Sequence, residues 1–132
     1  MSEAPQIEKV HYDTSSPIMD RELIDMLLLC DEDEPDLDLA NELFELFETE
    51  SASKLDSLEE VCASGDVMEL KKIVHFVAGS AGNLGMSRLN AFYRAIEAAI
   101  EAEELVDISD CETPIRQAFD QARMSFRADF NL

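Results

Sequence analysis

From Asp36 onward, apolar residues recur every three or four positions. Ala40, Phe44, Phe47, Leu55, Leu58 and Cys62 fall on one side of a helix, with Ser51 filling the gap in the series. Glu42, Glu45, Glu48, Glu50, Glu59 and Glu60 take the other sides, and the spacing predicts one long helix of about 27 residues. Gly65 supplies a stop, and Asp66, with Glu69 three residues on, supplies a new start, so a second long helix folds back antiparallel on the first. In that second helix Leu70, Ile73, Val77, Ala81 and Leu84 point within roughly 40° of one direction, and Gly85 is its stop. A third stripe, Leu89, Phe92, Ile96, Ala99 and Ile100, follows a cap at Ser87. A fourth, Ile115, Phe119, Ala122, Phe126 and Phe130, follows Thr113-Pro114.

Ahead of these, Ser16-Pro17 or Asp20 opens a short helix over Leu23, Ile24, Leu27 and Leu28 that ends near Cys30. The expected fold class is all-α: an antiparallel four-helix bundle with a short extra N-terminal helix, spanning residues 17–132 behind a flexible arm at 1–16. No strand pattern competes, and the length suits a single domain.

A formal net charge of −20 changes the range of functions. It repels nucleic acid and anionic membrane surfaces, which leaves soluble proteins as partners and favours a monomer. The first residues lack the apolar core of a signal peptide, and no run reaches the 18 or so apolar residues of a membrane span, so a cytoplasmic location is expected. The run Asp31-Glu32-Asp33-Glu34 before Pro35 lacks calcium-loop spacing and reads as a solvated connection. Cys30, Cys62 and Cys111 are too widely spaced for a metal set, and they read as reduced thiols. His11, in the arm, has no assigned role.

His75 stands out against this background, because it points almost directly away from the apolar stripe of the second helix. By the same count Met68, Lys71 and Lys72 precede it on the outward face, and Ala78, Gly79 and Gly82 follow it. Two glycines inside a helix sacrifice on the order of 2 kcal/mol of helix propensity relative to alanine. A helix bared beside an exposed imidazole is arranged for close approach by something else.

The run His75-Phe76-Val77-Ala78-Gly79-Ser80-Ala81-Gly82-Asn83-Leu84-Gly85 resembles the signature of histidine-containing phosphotransfer (HPt) domains. That signature reads His, two residues, usually Lys, then Gly-Ser-Ser/Ala, two residues, Leu-Gly. Ala78 replaces the usual lysine, while Ser80 and Gly85 match the motif. The resemblance implies a four-helix bundle with a phosphoacceptor histidine exposed midway along one helix. It also implies partners, the receiver domains of response regulators or hybrid histidine kinases, which would supply Mg²⁺ themselves; this chain would need no cofactor and no metal of its own.

An imidazole, with an ordinary pKa of about 6.5, is partly neutral near pH 7 and can act as a nucleophile. His75 would take a phosphoryl group on Nε2 from a receiver aspartate and pass it to another receiver. Lys71 and Lys72 are candidates to hold the phosphoryl oxygens in place of the lysine missing at 78. With no G-x-x-x-x-G-K-[ST] loop, the expected protein is a free-standing phosphocarrier without kinase activity. Two alternatives are a receiver-binding module that does not transfer, and an acidic helical adaptor unrelated to phosphate.

Overall fold

A computed structural model of the chain describes residues 4–20, 22 and 37–130. Among the described residues all regular structure is helical: α1 (Leu37–Leu55), α2 (Leu58–Ser64), α3 (Val67–Asn83), α4 (Ser87–Glu101) and α5 (Glu112–Phe130). The pair α1 and α2 forms one arm of an antiparallel four-helix bundle, and α3, α4 and α5 form the others. Residues 17–20 are not helical, and the rest of the expected N-terminal helix, with Cys30 and the acidic run at 31–34, lies outside the described residues.

The first arm is not the single helix that its periodicity predicts. Leu55, Leu58 and Cys62 are all buried, as a continuous stripe requires, yet the helix breaks at Asp56 and Ser57. The Ser57 hydroxyl donates to the Lys54 carbonyl at 3.4 Å, a local bond that competes with the backbone ladder. The Leu55 carbonyl accepts instead from Arg116 Nη2 of α5 at 3.1 Å, so the break is satisfied from a neighbouring helix.

Both turns around α3 are built as their residues suggest. Gly65 takes a left-handed φ of 75°, and the Asp66 side chain accepts from the Glu69 amide at 3.1 Å to cap the new helix. At the other end Gly85 has φ 72°. Met86 N–H donates to Ala81 O at 3.0 Å and Gly85 N–H to Gly82 O at 3.2 Å. This is a Schellman closure, with Leu84 and Met86 buried beneath it. It turns the chain within three residues, so α4 runs back along α3.

Aromatic side chains fill the far side of the bundle. Phe44 stacks on Phe126 with ring centroids 5.1 Å apart, Phe47 meets Phe119 at 5.7 Å, and the buried Tyr93 hydroxyl donates to Ile115 O at 2.7 Å. The arm expected to be flexible is, over residues 4–16, packed against the bundle. Val10 is buried, the Tyr12 ring lies 5.0 Å from Phe92, and Arg88 Nε donates to Ser16 O at 3.1 Å. Apolar residues scattered without period among polar ones hold it down, which is why no helical or strand pattern announces it.

Candidate functional site

The site forms where α3 and α4 lie side by side, and it follows from their antiparallel register. Counting along α3, Lys71 Nζ meets Glu101 Oε1 at 3.1 Å, and His75 Nδ1 meets Glu97 Oε2 at 2.6 Å. One turn later Gly79 faces Arg94, and Gly82 faces Asn90. Steps of three or four residues on each helix make these the rungs of a ladder, with the Gly85 turn setting its register.

His75 is the most exposed of these ion-paired side chains, 65% accessible beside a Glu97 side chain only 16% accessible. The Glu97 carboxylate can only accept, so the 2.6 Å contact places the hydrogen of a neutral ring on Nδ1. Arg94 Nη1 lies 3.2 Å from the same nitrogen, but two donors do not bond to each other; its acceptor is Glu97 Oε1, at 3.4 Å. The pairing leaves the Nε2 lone pair free and turned away from the carboxylate that fixes the ring. A fixed tautomer with a free second nitrogen is what a nucleophilic imidazole requires.

On one side of His75 opens a shallow depression of about 580 Å³. Met68, Lys71 and Lys72 line it, as the helix count places them, together with Phe76, Glu97, Glu101 and Lys54 of α1. Lys54 Nζ sits 5.0 Å from the Phe76 ring centroid. Lys71 is partly covered and engaged by Glu101, whereas Lys72 is 77% exposed and only 4.0 Å from Glu69.

On the other side the outward face is narrower than the sequence indicates. Ala78, counted there with the glycines, is fully buried, and its carbonyl accepts from Asn90 Nδ2 at 2.8 Å. The reason is that α3 is covered by two neighbours, so Val74 and Ala78 belong to a buried sector wider than the five-residue stripe. Gly79 and Gly82 are half-buried, and they differ. A Cβ on Gly82 would stand 3.0 Å from Asn90 Nδ2, so this glycine leaves room for the Asn90 side chain that bonds to the Ala78 carbonyl. A Cβ on Gly79 would meet only Arg94 Nη2, at an ordinary 3.9 Å, so the fold of this chain does not require glycine there. Ser80 is half-buried at the flank of the helix, and Gly85 lies in the turn.

Periodicity did not identify Lys54, Arg94, Glu97 and Glu101. The last three are spaced to share one side of α4, a signal visible in the sequence; which helix that side meets is not. Among the described residues no group of three or more His, Cys, Asp or Glu is placed to hold a metal ion, and no helix is long and apolar enough to cross a membrane. A family model described as the Hpt domain matches residues 42–125, which run from α1 into α5 and enclose the whole site. No curated protein and no solved structure matches the chain.

Proposed function

The chain belongs to the Hpt domain family, whose members carry phosphoryl groups in phosphorelays, and on that premise we propose that His75 is the phosphoacceptor of a relay intermediate working between receiver domains. One observation carries this reading: an exposed imidazole whose Nδ1 is held by Glu97, which leaves Nε2 as the nitrogen open to a partner. In the forward step Nε2 forms a bond to phosphorus while the acyl-phosphate P–O bond of the receiver breaks and the aspartate leaves as a carboxylate. The ring retains its Nδ1 hydrogen against Glu97, so no base has to remove a proton for the bond to form.

The Mg²⁺ that neutralises the transferring group is supplied by the receiver, and the carrier works as a cytoplasmic monomer. The depression beside His75, with Met68 and Phe76 among lysines, and the open turn at Gly79 receive the rim of the receiver site. Of the two lysines, Lys72 is the better placed to reach the phosphoryl oxygens, since Lys71 is held by Glu101. Lys72→Ala is expected to slow transfer several-fold more than Lys71→Ala, and equal rates for both variants and the native protein would remove the lysines from the mechanism.

The function is tested by mixing the protein with phosphorylated receivers and following acid-labile, alkali-stable phosphate on the chain, with His75→Gln as control. Transfer that His75→Gln abolishes is the expected result. Binding without transfer would make the chain a receiver-binding module, and neither would leave an acidic adaptor.

A further inference from the structure

Arg94 has few acceptors for a guanidinium so close to the His75 ring. Among the described residues, those of its five N–H donors in contact with an acceptor reach only Glu97 Oε1, at the long distance of 3.4 Å. Its Nη1 is nonetheless 3.2 Å from His75 Nδ1, and its Nη2 stands over the bare backbone of Gly79. Nε2 lies across the same five-membered ring, and a phosphoryl group there would spread three anionic oxygens around that position. Within α3 no cation borders the imidazole on the Gly79 side, because Ala78 is buried and both lysines stand on the preceding turn.

We propose that Arg94 binds the phosphoryl group on the side of His75 that the lysines do not border: on phosphorylation of His75 its guanidinium leaves the long contact with Glu97 and takes phosphoryl oxygens, over the space that Gly79 leaves clear. A dianion with several acceptors competes well for a planar guanidinium against one distant carboxylate oxygen. Glu97, freed of Arg94, keeps its 2.6 Å contact to Nδ1, so the ring stays fixed while the cation moves. The exchange needs no backbone motion, since Arg94 is at the exposed edge of α4.

The inference rests on His75 as phosphoacceptor, but its test needs no receiver. Phosphoramidate modifies histidine directly: Nε2 forms the new bond to phosphorus, the donor's own P–N bond breaks, and neutral ammonia leaves from the N-protonated donor. On the full chain so modified at His75, ³¹P chemical shifts followed against pH, with the ring Nδ1 hydrogen followed separately in ¹⁵N–¹H spectra, give the pKa of the bound phosphoryl group. A neighbouring guanidinium favours the dianion, so Arg94→Gln should raise that pKa by about half a unit or more, and Arg94→Lys should restore part of the difference. Circular dichroism of the variants checks that the bundle is intact.

Superimposable titrations of native protein and Arg94→Gln would overturn the proposal. So would failure of phosphoramidate to modify His75, read against His75→Gln, since Nε2 would then not be available. If the titrations differ and no receiver transfers to His75, the relay reading fails and the role of Arg94 stands.

Discussion

At the scale of single residues, the chemistry depends on which ring nitrogen is engaged. Removing Glu97 removes the group that fixes the hydrogen on Nδ1, and a hydrogen bond to a charged partner is worth about 1.5–3 kcal/mol. Glu97→Ala is therefore expected to slow phosphotransfer on the order of tenfold and to leave a mixture of tautomers, seen in long-range ¹⁵N–¹H spectra of His75. Unchanged spectra would mean that the ring is held by other means. A second prediction concerns Ser51, fully buried in the apolar seam of α1 with its hydroxyl unpartnered among the described residues. Ser51→Ala should raise stability by about 1 kcal/mol, measured by urea denaturation, because it removes an unsatisfied polar group. The exposure of His75 and the burial of Ser51 were legible in the sequence because a helical period assigns a direction to every position. Arg94 and Glu97 were not, because a period says which side of α4 they share and nothing about the helix across from it. Ala78 was misplaced for a related reason: a single stripe underestimates the buried sector of a helix with two neighbours.

At the scale of elements, the ladder between α3 and α4 gives the two glycines different roles. Gly79→Ala adds helix propensity without a clash and should stabilise the protein by up to about 1 kcal/mol, while slowing transfer from a receiver that uses the cleared space. Gly82→Ala should gain less or lose, because the new methyl presses on Asn90 and weakens its bond to the Ala78 carbonyl. Thermal unfolding of the pair decides this, and equal gains would refute the assignment. The turn at Gly85 and the cap at Asp66 were both legible, since each depends on residue types acting within a few positions of themselves. The break between α1 and α2 was not, because Leu55, Leu58 and Cys62 fit an unbroken helix equally well. The acceptor left over at Leu55 is met by Arg116, 61 positions away, which no local pattern reveals.

At the scale of the whole molecule, charge and burial set the response to solution conditions. A body of formal charge −20 repels itself, yet four of its ten lysines and arginines, Lys54, Lys71, Lys72 and Arg94, border His75. Raising the salt concentration should therefore stabilise the isolated fold, seen as a rising midpoint in calorimetry, while weakening its encounter with an anionic receiver site. The alkaline limit depends on the core. Burial, with Cys62 and two aspartates adding to it, pushes the Cys111 thiol from 9.0 up to about 12, and burial also raises the Tyr93 hydroxyl. The folded state keeps protons that the unfolded chain releases, so stability present below pH 9.0 is lost between there and about pH 12. Melting midpoints should fall across that window, and less steeply for Cys111→Ala. The four-arm plan was legible because each arm carries its own stripe; the packed N-terminal arm was not, since Val10 and Tyr12 are held by partners distant in sequence.

The contact between His75 Nδ1 and Glu97 has one more implication. If His75 carries phosphate on Nε2, as proposed, the rung that orients the ring is on the other nitrogen, so loading and unloading need not disturb it. A carrier built in that way would store a signal without a second shape in which to display it. Amide shifts on phosphorylation should then stay within the turns bordering His75 and Arg94, and a downstream protein would learn the state of this one by reacting with it, not by recognising a changed surface.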